Sequence, residues 1–281
     1  MSQEFDKYRL VTFADGDKNW GRSYRRFARQ AHASGYFSTI QKYDYSRLNN
    51  ILDTLPRNVR QFITSNSRGY GYWVWKPIIL LDSLENLQDG EHGVIYLDVG
   101  CTINSNPIAS SRMRDYMKIA NTHSGLFFEL RGNNKCADWV KRDAQIYMGL
   151  SPDVLGENLI VGGIFFLKNT EPNKALLKEW LRIMCEDNFH YLDDSPSVEP
   201  NSSNFVEHRH DQALLTGLIR KRTYPVIPDE TYFSGNWGPD AFGFPILATR
   251  LRSGISKVSS SLFWKVVRKS ERGLVKLRVL K

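Results

Sequence analysis

Apolar residues follow two spacings along this chain, one typical of short buried strands and the other of helices. Strands are predicted at residues 9–14, 93–98, 126–130 and 159–167. Helices are predicted at residues 20–33, 78–87, 177–184 and 209–220. Because strands alternate with helices, the pattern predicts an α/β fold with a mostly parallel sheet and helices on both faces.

Two further segments complete the predicted elements. Asp138 is expected to cap a helix whose apolar face includes Val140 and Ala144 and which stops near Gly149. Residues 188–206 are rich in Asp, Ser, Pro and Asn and show no periodicity. A loop of this length inside a compact domain is either a functional lid or disordered.

Charge is concentrated at one end of the chain. The 281 residues carry a net charge of +8, and residues 250–281 hold ten Lys or Arg and one acid. The rest of the chain is therefore close to neutral, which does not suit a fold that binds nucleic acid along a basic surface. We predict one domain over residues 1–252 and a basic amphipathic tail over residues 253–281.

The tail combines its basic residues with apolar ones. Leu262, Phe263, Val266 and Val267 lie beside Trp264 at helical spacing, a pattern that suits the surface of an anionic membrane. A solvated or disordered end and an RNA-binding tail are the alternatives.

Cysteine usage and hydropathy bear on the compartment. Three cysteines lie far apart with no C-x-x-C pair, which argues against a disulfide framework or a zinc ribbon and indicates a reducing compartment. The first residues are polar, and no apolar run approaches the ~20 residues of a membrane-spanning helix. We predict a cytoplasmic protein bound peripherally at the inner face of the cell membrane.

Residues 68–77 form a tract with the sequence RGYGYWVWKP. Aromatic faces stack on bases and sugar rings, and glycine allows close approach of the backbone to a ligand. Lys76 and the helix that begins near Pro77 are expected to hold a pyrophosphate. The alternative is a hydrophobic plug, and we expect at least one of Trp73 and Trp75 to be a core residue.

Two acidic residues are candidates for the chemistry. Asp98 ends a hydrophobic strand, where ligands gather in open α/β sheets, and can hold a divalent cation or a ribose hydroxyl. Asp211 shares a helical stripe with Leu214 and Leu218, so its side chain is expected to point inward. The alternatives are a turn cap for Asp98, and for Asp211 a buried ion pair with Arg209 or Lys141.

Other candidates are less distinctive. Gly162 and Gly163 interrupt a predicted strand, either for close passage of a sugar or for a β-bulge. Asp143 is a candidate for the nucleotide ribose or an ordinary surface acid. His208 and His210 are metal-ligand candidates or solvated residues.

These motifs together resemble a bacterial family of glycosyltransferases found in capsule and lipopolysaccharide gene clusters. The resemblance spans roughly residues 8–230 and is carried by the tract RGYGYWVWKP, YLDVGC at residues 96–101, Gly162-Gly163-Ile164 and EHRHDQ at residues 207–212. More distantly, the chain is similar to the retaining family of glycogenin and lipopolysaccharide glucosyltransferases, which has the GT-A fold and uses a UDP-sugar with Mn²⁺.

The resemblance implies roles for particular residues. Asp98 matches the first acid of the D-x-D motif, which implies a catalytic and metal-binding role, and Asp211 matches the acid of the D-Q pair. Gly100 replaces the second acid, so dependence on Mn²⁺ or Mg²⁺ stays open. Donor-binding roles are predicted for Thr12, Tyr72, Trp73, Trp75, Lys76, Asp143, Gly162 and Gly163. Roles at the acceptor or in support of the site are predicted for Glu207, His210 and Gln212.

The sequence thus predicts transfer of a hexose, from a UDP-sugar or a related nucleotide sugar, to a hydroxyl of a cell-surface glycan or a lipid-linked acceptor. The same sheet also suits a sugar-1-phosphate nucleotidyltransferase, although the acidic Asp15-Gly16-Asp17 turn follows the first strand where a basic Gly-rich loop would be expected. A third hypothesis is a nucleic-acid-binding protein that uses the basic tail. On the leading hypothesis no nucleic-acid partner is expected.

Overall fold

A computed structural model describes Phe5, residues 7–232 and residues 239–251. The predicted tail over residues 253–281 lies outside the described residues. Among the described helices, none is both long and apolar enough to cross a membrane.

A six-stranded sheet with the order β2-β1-β3-β6-β5-β7 forms the centre of the molecule, and β4 pairs with β8 beside it. The strands are β1 (Tyr8–Phe13), β2 (Thr39–Tyr43), β3 (Gly93–Leu97), β4 (Thr102–Ile103), β5 (Gly125–Glu129), β6 (Ile164–Lys168), β7 (Val226–Pro228) and β8 (Ile246–Leu247). β1 is parallel to β2 and β3, β5 is parallel to β7, and β6 is antiparallel to both β3 and β5. The sheet is therefore mostly parallel with one reversed strand.

Helices connect most of these strands. They are α1 (Lys18–Ser34), α2 (Tyr45–Leu52), α3 (Arg57–Ser65), α4 (Gly69–Tyr72), α5 (Trp75–Glu85), α6 (Pro107–His123), α7 (Cys136–Trp139), α8 (Arg142–Tyr147), α9 (Pro152–Gly156), α10 (Glu171–Cys185), α11 (His210–Arg220) and α12 (Pro239–Phe242), with a 3₁₀ helix at Glu186–Phe189. Local sequence explains several boundaries. The Asp17 carboxylate accepts from the backbone N–H groups of Asn19 and Trp20 at the start of α1, and Gly35 ends that helix in the left-handed conformation.

The sheet separates two hydrophobic cores. On β1, Val11 and Phe13 point into the core formed with α5, α10 and α11, whereas Tyr8 and Leu10 point into the core formed with α1 and α6. This follows from the two-residue period of a strand. Helices on both faces of a mostly parallel sheet in a single domain confirm the predicted fold class.

Two predicted elements are wrong in detail. The single helix predicted after Asp138 is two short helices, because Val140 is extended and separates α7 from α8. Asp138 lies inside α7 and caps neither helix. Gly162 and Gly163 lie in the turn that precedes β6, not inside a strand.

Candidate active site

Asp98 stands exposed at the carboxyl edge of β3. Its backbone N–H donates to the carbonyl of Gly163 at 2.9 Å, and its carboxylate accepts from the Tyr96 hydroxyl at 2.8 Å. Burial, reinforced by the charge of Asp98, raises the pKa of Tyr96 well above its ordinary value, so the phenol remains a donor. Asp98 is thereby held in one orientation while it stays accessible to a ligand.

A buried ion pair between Lys76 and Asp211 lies next to this carboxylate. The two residues are 3% and 5% exposed, and the Lys76 amino group also donates to the Gly162 carbonyl at 2.9 Å. Burial raises the pKa of Asp211, the Lys76 ammonium opposes that effect, and the charge of Asp98 adds to it. Asp98, Lys76 and Asp211 therefore form one electrostatic cluster.

The inward direction predicted for Asp211 is confirmed, but its partner is Lys76 and not Arg209 or Lys141. Lys76 itself was expected at a pyrophosphate. The structure instead buries its amino group against Asp211 and Gly162 within the first turn of α5. Lys76 therefore supports the turn at Gly162, and its buried amino group is not exposed to an anionic ligand.

Close packing explains the glycines of the turn before β6. A methyl group at Gly163 would lie 2.9 Å from Cγ of Asp98, and one at Gly162 would lie 3.0 Å from Cβ of Gln212. Gln212 also donates from Nε2 to the Ile160 carbonyl at 2.7 Å. The turn therefore packs directly against Asp98, and Gln212 of α11 packs against its other glycine.

The aromatic tract folds into a left-handed turn. Five consecutive residues, 69 to 73, have positive φ, and three of them are aromatic. Each left-handed non-glycine residue costs about 1–2 kcal/mol, and such strain concentrates at functional sites. Gly71 is needed twice over, because its φ is +78° and a methyl group there would lie 2.9 Å from Cα of Ile63.

The aromatic rings of this tract lie partly in the core and partly at the border of the candidate site. Trp75 is 4% exposed, stacks on Phe13 with ring centroids 4.2 Å apart, and donates from Nε1 to the Gly69 carbonyl. Trp75 is therefore a core residue, as expected for at least one of the two tryptophans, and its ring is not exposed to a ligand. Tyr72 and Trp73 stay half-buried and pack against the ring of His210.

Residues 190–206, here called the strap, have no regular secondary structure, as predicted for this region. Asp143 holds the strap through hydrogen bonds with the backbone N–H groups of Val198 (2.6 Å) and Glu199 (2.9 Å) and with Nε2 of His190 (2.7 Å). Although burial raises it, the pKa of Asp143 is held well below its usual value by these bonds, that of His190 foremost. Asp143 was predicted to bind a ribose, and its carboxylate instead forms hydrogen bonds with the strap.

The strap also reaches the aromatic tract. Asp194 forms an ion pair with Arg68 at 2.8 Å and a hydrogen bond with Tyr72. Phe189, just before the strap, stacks on Phe62 with ring centroids 3.8 Å apart. The strap is therefore docked on one side of the candidate site.

Both histidines near α11 serve this docking. His208 accepts from the Lys141 backbone N–H at Nδ1 and bonds the Tyr191 carbonyl through Nε2, and burial lowers its pKa well below its ordinary value. With both ring nitrogens engaged, His208 has none free for a metal. His210 donates from Nδ1 to the Leu192 carbonyl at 2.9 Å, and burial lowers its pKa as well.

The environment of Gly100 bears on metal binding. Its carbonyl accepts from the backbone N–H of Leu251 and the hydroxyl of Thr249, both at 3.0 Å. A side chain at position 100 would begin 3.2 Å from Cα of Arg250. The segment 249–251 therefore packs closely against the place of the second acid of a D-x-D motif, and a side chain there would require a small shift of this segment.

Within the described residues, no three acidic, histidine or cysteine side chains group as a metal-binding cluster. Asp98 does not belong to such a cluster, although Asp15, Asp44 and Asp229 also follow strands that end at this edge of the sheet. A role for Mn²⁺ or Mg²⁺ stays a prediction.

Two predicted residues lie apart from the cluster. Thr12 is fully buried on the face of β1 that carries Leu10, opposite the face of Tyr96 and Lys76. Glu207 is exposed and pairs with Arg209 at 3.3 Å. The structure brings together Asp98, Lys76, Gly162, Gly163, Asp211 and Gln212.

Tyr96 and Arg250 are the residues at this edge that sequence reasoning missed. Tyr96 precedes Asp98 by two positions, so the period of a strand already placed both on one face. Arg250 had no such indication, because it reaches Gly100 through pairing of β8 with β4, about 150 residues apart in sequence.

Comparison with known proteins gives similarity of overall structure. No protein-family model and no curated protein matches the sequence. Among solved structures, mouse xyloside xylosyltransferase 1 in its apo form is 12% identical with a TM-score of 0.47, covering 89% of this chain and 99% of that one. A glycosyltransferase involved in glycosylation of the major capsid of PBCV-1 is 10% identical with a TM-score of 0.46, covering 86% and 91%.

A third structure is 4-diphosphocytidyl-2C-methyl-D-erythritol synthase from Anaerococcus prevotii. It is 10% identical with a TM-score of 0.38, covering 80% of this chain and 87% of that one. With TM-scores below 0.5, these similarities assign neither an activity nor a substrate to this chain.

Proposed function

We propose that this protein is a glycosyltransferase that takes a sugar from a nucleoside-diphosphate sugar, with a UDP-sugar as the expected donor. The observation that supports this is the exposed Asp98 carboxylate above the Gly162–Gly163 turn, at the carboxyl edge of the sheet. Ligands of open α/β sheets bind at this edge. The acceptor is proposed to be a hydroxyl of a cell-surface glycan or a lipid-linked oligosaccharide, as in the capsule and lipopolysaccharide family that the motifs resemble.

In this proposal Asp98 contacts the donor directly, since it is the exposed member of the cluster. Asp211 and Lys76 are positioning residues, because both are buried and act on the turn through the Gly162 carbonyl. During transfer, the bond between the anomeric carbon and the diphosphate oxygen breaks, and a bond to the acceptor oxygen forms. The acceptor proton leaves to a base, and stabilisation of the departing diphosphate supplies much of the rate.

Donor binding tests the proposal. UDP and UDP-sugars are expected to raise the unfolding temperature of the protein, and Asp98→Asn is expected to weaken their binding about tenfold or more, because a charged hydrogen bond contributes ~1.5–3 kcal/mol. Calorimetric titration measures the affinity. Asp89→Asn, which changes an exposed acid at the other end of β3, is the control and should bind as the parent protein does. If no nucleoside diphosphate or nucleotide sugar binds, the proposed function is wrong.

Arg250 is proposed to supply positive charge for the diphosphate. Its backbone lies against Gly100 with φ of +51°, and its guanidinium lies 5.3 Å from the ring centroid of Tyr232. Burial is the main cause that raises the pKa of Cys101. The charge of Asp98 raises this pKa further and the charge of Arg250 lowers it, so both charged groups act on the same thiol. A strained residue beside the candidate site is a reason to assign it a function.

Arg250→Ala is therefore expected to weaken UDP binding about tenfold, because a charge-assisted bond to a phosphate is lost. The titration is made in EDTA and again with Mn²⁺, and binding in EDTA is expected. Arg57→Ala removes an exposed arginine from α3 and serves as the control. Binding that requires Mn²⁺ and is unaffected by Arg250→Ala would contradict this assignment.

We also propose, separately from sugar transfer, a peripheral position at the inner face of the cell membrane through residues 253–281. A lipid-linked acceptor is confined to that surface, so a membrane-bound enzyme meets it at a higher local concentration. This part of the proposal rests on the sequence of the tail.

A further inference from the structure

Helix α1 carries a row of exposed basic side chains along one face. The row consists of Lys18, Arg22, Arg25 and Arg29. Their spacings of four, three and four residues place them on one side of the helix, over a length of about 16 Å. No acidic residue occurs anywhere in α1. We call these four residues the α1 basic row.

The charges of the α1 basic row are not used inside the protein. Within the described part of the chain, none of the four forms an ion pair or a side-chain hydrogen bond. Arg26 of the same helix differs, since it is buried and donates to the carbonyls of Val99 and Cys101. Like charges three and four residues apart destabilise a helix, so an external anionic partner would relieve a cost that the fold carries.

Leu251 lies beside this helix. The hydroxyl of Ser23 in α1 donates to the carbonyl of Leu251 at 3.3 Å. The residues that follow, 252–281, contain nine Lys or Arg and the apolar run Leu262-Phe263-Trp264. The sequence therefore continues from a residue next to α1 into a segment rich in basic residues.

We propose that the α1 basic row is a docking surface for an anionic lipid membrane. An anionic leaflet attracts basic groups close to its surface, and the apolar residues after Leu251 suit insertion between lipids more than contact with nucleic acid. The proposal concerns binding alone, so it stands or falls independently of the sugar-transfer proposal.

The row also has a direction relative to the candidate site. α1 follows the carboxyl end of β1 through the turn at residues 14–17, so its Lys18 end lies at the edge of the sheet that carries Asp98. The row therefore starts at the edge of the sheet that carries Asp98, although α1 packs on the face opposite the one that carries Tyr96.

Co-sedimentation of the full chain with vesicles tests this docking surface. Vesicles of phosphatidylcholine with phosphatidylglycerol are expected to bind the protein, and vesicles of phosphatidylcholine alone are not. Arg25→Glu/Arg29→Glu is expected to lower the affinity at least about tenfold, since each basic residue near an anionic surface contributes about a fivefold factor. Arg57→Glu/Lys178→Glu makes the same change in net charge on helices of the opposite layer and is expected to stay within about twofold of the parent.

Thermal unfolding shows whether each variant is folded, and Arg25→Gln/Arg29→Gln gives a second reading with a smaller loss in the same direction. The docking surface is refuted if the Arg25/Arg29 variants bind the anionic vesicles as the parent does, or if the control pair loses as much. Tighter binding to duplex DNA than to the vesicles at one salt concentration, with the same loss in the Arg25/Arg29 variants, would assign the row to nucleic acid instead.

Discussion

Replacing Lys76 by methionine is expected to lower the free energy of unfolding by about 3–5 kcal/mol, because it leaves Asp211 as an unpaired buried charge. Asp211 is 5% exposed, and the Lys76 ammonium is its ion-pair partner. Methionine keeps most of the side-chain volume, so loss of the charge and not a cavity accounts for the change. Urea unfolding at neutral pH measures it.

The double variant Lys76→Met/Asp211→Leu separates the ion pair from packing. With both charges removed, much of the lost stability is expected to return, since a buried ion pair is often replaceable by apolar residues. The double variant should nevertheless transfer sugar poorly, because the Gly162 carbonyl has lost its donor. A loss below about 1 kcal/mol in Lys76→Met would show that Asp211 does not depend on Lys76.

The second large effect is expected for Gly163→Ala. The added methyl group would lie 2.9 Å from Cγ of Asp98, so the carboxylate must turn away from its position over the turn. A displacement of about 1 Å at a reacting group can lower the rate about 100-fold. The expected result is a loss of that size in the sugar-transfer rate, or in donor hydrolysis, with the protein still folded.

Gly156→Ala is the matched control, because a methyl group at Gly156 meets no atom within 4 Å. It should retain full activity and comparable stability. Thermal unfolding of both variants checks that the loss in Gly163→Ala is local. Full activity in Gly163→Ala would mean that the position of Asp98 above the turn is not used in the reaction.

Much of the fold was predictable because it depends on local periodicity. The helix over residues 209–220 was predicted from leucine spacing, and the same spacing showed that Asp211 points inward; α11 confirms both. The partner of Asp211 was not predictable, because Lys76 lies 135 residues earlier and no local pattern joins the two.

The break between α7 and α8 has a similar cause. The apolar spacing around Val140 and Ala144 suits one helix, yet the backbone N–H of Lys141 donates to His208, 67 residues later. The Lys141 side chain is also drawn into the strap, where it donates to the carbonyls of Asp193 and Ser195. Tertiary hydrogen bonds therefore override the local preference.

Glycines in the aromatic tract indicated an unusual backbone but not its extent. Gly69 and Gly71 adopt left-handed conformations readily, whereas Tyr70, Tyr72 and Trp73 do so at a cost. Packing of Trp75 on Phe13 and of Tyr72 on His210 holds them there. These contacts join β1, α4, α5 and α11, and no single stretch of sequence contains them.

The reversal of β6 determines what kind of surface lies beneath Asp98. The neighbouring strands β3 and β5 end at the edge of the sheet that carries Asp98, whereas β6 begins at this edge. The Gly162–Gly163 turn, which precedes β6, therefore lies there. Both carbonyls of that turn already accept hydrogen bonds, from Lys76 and from the Asp98 backbone. Gly162 is buried and Gly163 stays partly accessible, so under the proposed function a donor sugar would meet backbone atoms of Gly163 at this point. Discrimination between one donor sugar and another would then depend on the side chains around the turn.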